Sequence, residues 1–246
     1  MPRREEPSRR AIRTRTRRSL LLMLARVLEP EVMDSAEEAR DYDSMDHAAV
    51  NEAFAAAFLS IWNGRNPILD VGTGTAQIPI AIARKSPAPQ IVAIDLAEQM
   101  LALARVNVTV AGFDSRIRIE KADAKRFHFP DASFGAVISN SIIHHIPEPS
   151  RCFAEMHRVC VPGGLLFVRD LLRPSDTTAL AHLVNTHAGG ANDHQRQMFA
   201  DSLHAALTLD EVRELVGRLG YDPATVAQTS DRHWTWSASR SPSGRG

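Results

Sequence analysis

The chain has 246 residues, of which 44% are hydrophobic and 24% are charged, and its formal net charge is zero. A chain of this length buries enough surface to fold without disulfides or a structural metal, and its two cysteines, Cys152 and Cys160, form no metal-ligand pattern. We therefore expect one main domain with short appendages, in a reducing cytoplasm and with no bound metal.

Basic residues dominate the start of the chain. Residues 1–18 contain eight arginines against two glutamates, a balance of +6. We predict that residues 1–28 form a disordered basic extension, because like charges at this density resist packing. Attachment to nucleic acid or a membrane surface, a targeting peptide, and a translation start at Met23 stay open as alternatives. The apolar run at 20–24 is too short to span a bilayer.

Alternating apolar segments then predict a mostly parallel sheet with helices on both faces. The predicted strands are 67–71, 90–94, 116–120, 134–139, 164–170, about 224–229 and 232–238. The predicted helices are 51–62, 76–85, 97–110, 149–160 and 208–219. Only a few residues join the last two strands, so they are expected to be antiparallel neighbours. The polar, histidine-rich segment 174–207 is interpreted as an insertion.

The first strand ends in an acid and two glycines, Asp70, Gly72 and Gly74. This pattern is typical of a buried strand that turns sharply into a helix and exposes its backbone to a ligand. The next strand ends in Asp95, and a carboxylate at that distance accepts hydrogen bonds from ribose hydroxyls. A dinucleotide site usually has a third glycine where this chain has Gln77.

Six short motifs together resemble the class I S-adenosylmethionine-dependent methyltransferases, in the type 11 branch that acts on small molecules. The motifs are residues 69–75, 93–101, 122–124, 129–134, 139–145 and 161–165. The resemblance implies an α/β fold: a Rossmann-like, seven-stranded, mostly parallel sheet with one antiparallel strand and helices on both faces. It implies a methyltransferase domain over 29–238, with 174–207 as an insertion or substrate lid, and 239–246 as a disordered tail.

The resemblance also implies where the amino-acid part of S-adenosylmethionine lies. Asp70 and the backbone of Gly72, Thr73 and Gly74 are expected along this part, with the amide of Asn140 holding the cofactor or the acceptor. The cofactor has no phosphate but carries an ammonium and a sulfonium, so an acid beside the turn suits it. An ordinary tight turn is the alternative for the glycines.

The nucleoside part is expected between the second and third strands. Asp95 is expected to bind the ribose, and Leu96 or Met100 to pack on the adenine. Asp123 and the backbone N–H of Ala124 are expected to bind the adenine edge. A helix N-cap is an alternative role for Asp95, and a solvated loop acid for Asp123.

Candidate catalytic residues follow the fourth strand: Asn140, His144 and His145. A histidine near its ordinary pKa removes a proton from a hydroxyl or accepts one from an amine. A structural role for the paired histidines stays open.

Acceptor specificity is expected in the parts added to the common sheet. Tyr42 and Met45 are candidates for an N-terminal lid. Arg169, Arg173 and Arg196 are candidates for holding a carboxylate or phosphate of the acceptor. Arg169 pairing with Asp170 is the structural alternative.

The function predicted from the sequence is methyl transfer to a small-molecule acceptor, with an oxygen or carbon nucleophile, by in-line displacement. No RNA-binding module is recognisable and the body is acidic, so nucleic acid is not expected as a partner. Two alternatives stay open: an RNA or protein methyltransferase recruited through the basic arm, and a non-catalytic module that binds the cofactor.

Overall fold

Seven strands form a single sheet in the computed structural model, which describes residues 24–29, 43 and 48–241. The strands are β1 (Ile68–Val71), β2 (Ile91–Asp95), β3 (Ile117–Lys121), β4 (Phe134–Asn140), β5 (Cys160–Leu171), β6 (Val226–Gln228) and β7 (His233–Ser239). Their order is β3-β2-β1-β4-β5-β7-β6, and β7 runs antiparallel to its neighbours β5 and β6 while the other neighbouring pairs are parallel. The predicted mostly parallel sheet with one reversed strand is confirmed.

Helices connect the strands and cover both faces of the sheet. In the described part of the chain they are α1 (Ala48–Ile61), α2 (Gln77–Lys85), α3 (Glu98–Ala111), α4 (Pro149–Val159), α5 (Thr177–His187), α6 (Asp193–Ala205) and α7 (Leu209–Arg218). Short 3-10 turns lie at Ile143–His145 and Pro223–Thr225. None of these helices combines the length and the apolar character that crossing a membrane requires.

Two of these helices were not predicted. Both α5 and α6 lie in the segment 174–207, which was predicted to be an insertion or substrate lid with no helix assigned to it. Asp176 caps α5 by accepting a hydrogen bond from the N–H of Ala179, and Asn192 with Gln195 forms a capping box at the start of α6. The helices pack on each other through a small cluster that includes Leu183 and Leu203.

The core has two halves, one on each face of the sheet. On one face, Phe54 and Phe58 of α1 pack on Phe167 of β5. On the other face, Phe153 of α4 stacks on Trp236 of β7. Successive residues of a strand point to opposite faces, so both faces of the central strands are apolar. Cys152 and Cys160 are free and buried.

The strand order places a crevice at the carboxyl ends of β1 and β4. Here β1 pairs with β2 on one side and β4 on the other, so the connections after β1 and β4 leave in opposite directions. Ligands of open α/β sheets bind at such a switch point.

Residues 24–29, which we call the strap, lie against the domain. The N–H of Leu24 donates to the carbonyl of Ser175, and the N–H of Val27 donates to that of His204. The predicted boundary placed residues up to 28 in a disordered extension. The structure differs at 24–28 because these backbone hydrogen bonds join them to the segment around α5 and α6.

Candidate functional site

The candidate site is the pocket in the crevice. Its walls are formed by residues at or just after the ends of β1, β2, β3 and β4. Its lining residues are Gly72, Gly74, Ile94, Asp95, Leu96, Ala97, Met100, Ala122, Asp123, Ala124, Lys125, Asn140, Ser141, Ile142, His145 and Ile146. The structure therefore brings most of the residues expected along the cofactor, and one of the two candidate histidines, to one cavity.

The turn after β1 is fixed by backbone hydrogen bonds and by its glycines. The N–H groups of Gly72 and Thr73 both donate to the carbonyl of Ile94, at 2.9 and 2.8 Å. Gly72 has a φ of +73°, and a Cβ atom there would overlap the side chain of Ile142. Gly74 has a φ of +54°. The turn therefore needs glycine at 72 both for its conformation and for its close approach to the β4 side.

Asp95 at the end of β2 is held by two backbone N–H groups. Its Oδ2 accepts from Gly74 at 2.8 Å and its Oδ1 accepts from Ala97 at 3.0 Å. A carboxylate can accept about four hydrogen bonds through its two oxygens. The N-cap alternative and a ligand-binding role are compatible in this geometry.

Asp123 lies in the loop after β3, beside Lys125. The backbone N–H of Lys125 donates to Asp123 Oδ1 at 2.9 Å, and its ammonium lies 3.0 Å from the same oxygen. Burial acts in the opposite direction, but these contacts lower the pKa of Asp123. The carboxylate is therefore ionised and oriented at the pocket wall, next to Ala124.

A smaller polar recess adjoins the pocket at the other end of the glycine turn. It is lined by Asp43, Asn51, Asp70, Gly72, Thr73, Thr75, Gln77, Ile78 and Asn140. Four buried side-chain oxygens of this recess have no hydrogen-bond partner among the described residues: Asp70 Oδ2, Thr73 Oγ1, Thr75 Oγ1 and Asn140 Oδ1. Burial, together with the nearby Asp95 carboxylate, raises the pKa of Asp70 to about 7. The recess therefore has acceptors to offer a cationic donor group.

His144 is buried in an ion pair with Asp170 of β5. Its Nδ1 lies 2.5 Å from Asp170 Oδ1, and Asp170 also accepts from the N–H groups of Ile143 and Leu171. Burial opposes the charge of His144, but Asp170 raises the pKa of this imidazole, and His144 in turn lowers the pKa of Asp170. The pair fixes the turn at Ile143–His145 to β5.

His145 lines the pocket, and its partner on the other side is Glu29 of the strap. Its Nδ1 lies 3.1 Å from Glu29 Oε1, and the Nε2 of His144 lies 3.5 Å from the same oxygen. Atoms of these three side chains that can bind a metal lie within 4.8 Å of one another, a spacing that a metal ion can bridge. No bound metal was expected from the sequence. Glu29 was not recognised from the sequence, because no local motif marks it.

The arginines expected to hold the acceptor are placed differently from one another. Arg169 stacks over Phe54 and donates to Thr235, at the level of Asn140 in the neighbouring strand. Arg173 and Arg196 do not line the pocket. Glu211 and the carbonyl of Ala206 hold Arg173, and Asn185 and the carbonyl of Ala188 hold Arg196. Tyr42 and Met45 lie outside the described residues.

Comparisons with known proteins agree with this geometry. The methyltransferase domain family matches residues 69–168, from β1 to β5. The chain is 34% identical to a ubiquinone/menaquinone biosynthesis C-methyltransferase of Geobacter sp. (strain M21) over 114 residues, which are 46% of this chain and 48% of that protein. It is 31% identical to a malonyl-[acyl-carrier protein] O-methyltransferase of Geobacter sulfurreducens over 196 residues, 76% of this chain and 68% of that protein.

A solved structure has the same fold. The structure of a SAM-dependent methyltransferase from Aquifex aeolicus superposes with a TM-score of 0.61 at 16% identity, covering 83% of this chain and 98% of that one. The chain matches about half the length of the quinone methyltransferase, with 48% of that protein covered.

Proposed function

The chain belongs to the class I S-adenosylmethionine-dependent methyltransferases, and we propose that it transfers the methyl group of S-adenosylmethionine to an oxygen or carbon atom of a small-molecule acceptor. The observation that carries this proposal is the placement of Asp70, Asp95 and Asp123 around one glycine turn. Three acids around a turn disfavour a pyrophosphate and favour a ligand with a sulfonium and an ammonium.

The polar recess fits the amino-acid end of this cofactor. An ammonium donates three hydrogen bonds and accepts none, and the recess offers buried acceptors on Asp70, Thr75 and Asn140. With a pKa raised to about 7, Asp70 is partly protonated near neutral pH when nothing cationic is bound. A bound ammonium favours its ionised form, so Asp70 and the ligand stabilise each other's charge.

The pocket proper fits the nucleoside end. Asp95, which accepts from the N–H groups of Gly74 and Ala97, is proposed to accept hydrogen bonds from the ribose hydroxyls as well. Leu96 and Met100 offer apolar contact, and Asp123 beside Ala124 offers an acceptor and a backbone donor for the edge of an adenine. These are the roles that the resemblance implied, and their placement around one cavity supports them.

The acceptor is proposed to bind on the side of the pocket that carries His145. A bound S-adenosylmethionine supplies a methyl group that its sulfonium makes strongly electrophilic. The protein's part is to align the acceptor, to exclude water and to take a proton. His145 is the proposed base because it lines the pocket. His144, buried against Asp170, is proposed to orient the turn, and Asn140 to hold the cofactor or the acceptor through its amide.

The acceptor class is proposed from the two kinds of nucleophile named among the relatives. One is a C-methyltransferase of quinone biosynthesis, and the other is an O-methyltransferase that acts on a malonyl group. Arg169 is proposed to contact an acidic acceptor, because its backbone pairs with Asn140 at the end of β4 and its guanidinium lies over Phe54. The two free cysteines favour the cytoplasm as the place of action.

Methyl transfer is tested by incubating the purified full chain with methyl-labelled S-adenosylmethionine and each of three acceptor samples. The samples are demethylmenaquinone, malonyl-acyl-carrier protein and a metabolite extract depleted of macromolecules. We expect label in at least one small-molecule product, and loss of that label in Asp95→Ala, because the ribose then loses its carboxylate partner. Asp131→Asn is the matched control, since Asp131 is an exposed acid paired with Arg158 outside the pocket.

Two results contradict this proposal. Label found only in added RNA or on amino-acid side chains of an added protein, and not on the malonyl group of malonyl-acyl-carrier protein, favours an enzyme for macromolecules. Tight binding of the cofactor with no labelled product from any sample favours a non-catalytic module.

A further inference from the structure

Three side chains that can bind a metal ion meet where the strap contacts the turn Ile143–His145. Oε1 of Glu29 lies 3.1 Å from His145 Nδ1 and 3.5 Å from His144 Nε2. Each of the three residues offers a ligand atom within 4.8 Å of the other two. Zn²⁺ binds imidazole nitrogen and carboxylate oxygen at about 2.0–2.2 Å, so two ligands at corners of a tetrahedron are about 3.4 Å apart. The separations of Glu29 from both imidazoles are close to this value.

The contacts in this cluster differ from those of a hydrogen-bonded group. Oε1 of Glu29 is buried and has no hydrogen-bond partner among the described residues, although a nitrogen of His145 lies 3.1 Å away. A buried carboxylate oxygen without a donor costs free energy. Two ligands of one ion approach each other in this way, because each directs a lone pair at the ion rather than at the other ligand. A cation among the three atoms supplies the partner that Oε1 lacks.

His144 is oriented for metal binding by Asp170. Its Nδ1 lies 2.5 Å from Asp170 Oδ1, and Asp170 is fixed in turn by the N–H groups of Ile143 and Leu171. A proton held between Nδ1 and Asp170 leaves the lone pair of Nε2 on the side of Glu29. Histidines that bind a metal almost always donate their other N–H to a carboxylate, a carbonyl or a water, which fixes the tautomer and raises the basicity of the ligand.

The charges around the cluster also favour a cation. Glu29 and Asp170 bring two carboxylates to the pair of histidines, and Asp201 of α6 is close enough to act on Glu29. Arg26, the cation of the strap, donates to four backbone carbonyls, three of them in residues 144–147. These bonds anchor the strap three residues before Glu29 and leave the negative charge of the cluster in place.

We propose that Glu29, His144 and His145 bind one divalent transition-metal ion, with Zn²⁺ as the ion that suits two imidazoles and a carboxylate. The ion links the strap to the turn beside the pocket. Three protein ligands leave a fourth coordination position, as in zinc sites that take part in a reaction. Because His145 also lines the pocket, an oxygen of the acceptor can reach this position.

A bound ion changes one step of the proposed methyl transfer, and this consequence alone rests on the proposed function. A histidine that binds an ion through one nitrogen carries its proton on the other, so His145 is then a ligand and not the base. The ion takes over the task of lowering the pKa of an acceptor hydroxyl, whose proton passes to water. The oxygen bonds to the methyl carbon as the carbon–sulfur bond breaks, and the electron pair of that bond stays on sulfur.

Metal binding is measured on the full chain, purified without a polyhistidine tag, treated with EDTA and desalted. With Zn²⁺ as the probe, we expect one equivalent per chain to remain bound through a second desalting step. Glu29→Gln removes the charged ligand with little change in shape and should weaken Zn²⁺ binding by at least about a hundredfold, the upper range for loss of a group that only supports a ligand. Glu214→Gln, an exposed glutamate of α7, is the matched control and keeps the affinity.

The histidines give a second matched pair and a second readout. His145→Ala should lose Zn²⁺, whereas His194→Ala should keep it, because His194 is exposed in the first turn of α6. Urea unfolding in the presence of EDTA checks that each variant is folded. X-ray absorption of the zinc protein should show nitrogen and oxygen ligands at about 2.0–2.2 Å and scattering from two imidazoles.

Four results overturn the inference. The first is Zn²⁺ that desalting removes completely, since Zn²⁺ ranks high in affinity for such ligands. The second is wild-type affinity in Glu29→Gln or His145→Ala, and the third is an equal loss in either control variant. The fourth is a sulfur ligand at about 2.3 Å. Absence of methyl transfer in the assay above refutes the proposed function and leaves the metal result standing.

Discussion

The carboxyl group of Asp70 is buried at the end of β1, and its raised pKa links the protein's charge to its ligand. In the folded state this group holds its proton up to about pH 7, whereas an unfolded chain releases it near the ordinary carboxyl value. Stability from this group is therefore lost as the pH rises from about 4 toward 7. A cationic ligand that needs the ionised form reverses this trend.

The affinity for S-adenosylmethionine is predicted to increase with pH because of this residue. Between pH 5.5 and 6.5 the dissociation constant should fall about eightfold, and it should level off above the pKa of about 7. The cofactor's own α-amino group stays protonated over this range, with an ordinary pKa of about 7.7–8.0. Isothermal titration calorimetry at a series of pH values measures this dependence.

The matched variant for this measurement is Asp70→Asn. It removes the titrating group with almost no change in shape, so its affinity should be lower than that of the wild type at neutral pH and nearly independent of pH. Asp131→Asn, at the surface, should retain the wild-type slope. A wild-type dissociation constant that does not vary between pH 5.5 and 7 would show that Asp70 does not face a cation.

At the scale of elements, the turn between β1 and α2 packs closely against the segment that follows β4, because Gly72 has no side chain. Gly72 faces Ile142 so closely that a methyl group would overlap it, and its φ of +73° is one that side-chain-bearing residues rarely adopt. The two elements thus define the width of the crevice between them. Their contact also holds Asn140 at the border between the polar recess and the main pocket.

Gly72→Ala is predicted to weaken S-adenosylmethionine binding by at least about tenfold, since about 1.4 kcal/mol of misalignment corresponds to that factor. Gly112→Ala separates the two causes, because Gly112 has a similar φ of +75° but open space around its Cβ position. Calorimetry and urea unfolding should show that Gly112→Ala costs about 1–2 kcal/mol of stability and leaves affinity intact. Equal effects of both variants on affinity would contradict a steric role for Gly72.

Helices α5 and α6 are the two helices that the pattern of apolar residues in the sequence did not predict. Their capping residues Asp176, Asn192 and Gln195 are visible in the sequence, but each helix buries few large apolar side chains, so its periodicity is weak. The strands were predictable because long apolar runs followed by glycine or acid have a local cause. These two helices are held mainly by their contact with each other and with Leu171 at the end of β5.

At the scale of the whole molecule, most residues that line the pocket, His145 among them, were predictable, whereas the partners of the two histidines were not. Asp95 and Asn140 end β2 and β4, and Asp123 lies two residues after the end of β3. The topology of parallel strands brings such ends together. The partners of the histidines come from far along the chain, with Glu29 in the strap and Asp170 in β5. No periodicity or turn signal encodes such contacts, because they depend on how α6 and the strap pack on the finished sheet.

The central claim is that the pocket binds S-adenosylmethionine and not a dinucleotide. The direct measurement is a pair of calorimetric titrations of the full chain at pH 7.5, one with S-adenosylmethionine and one with NAD. The three acids around the glycine turn predict one-to-one binding of S-adenosylmethionine and no detectable heat from NAD. Binding of NAD with no binding of S-adenosylmethionine would contradict it.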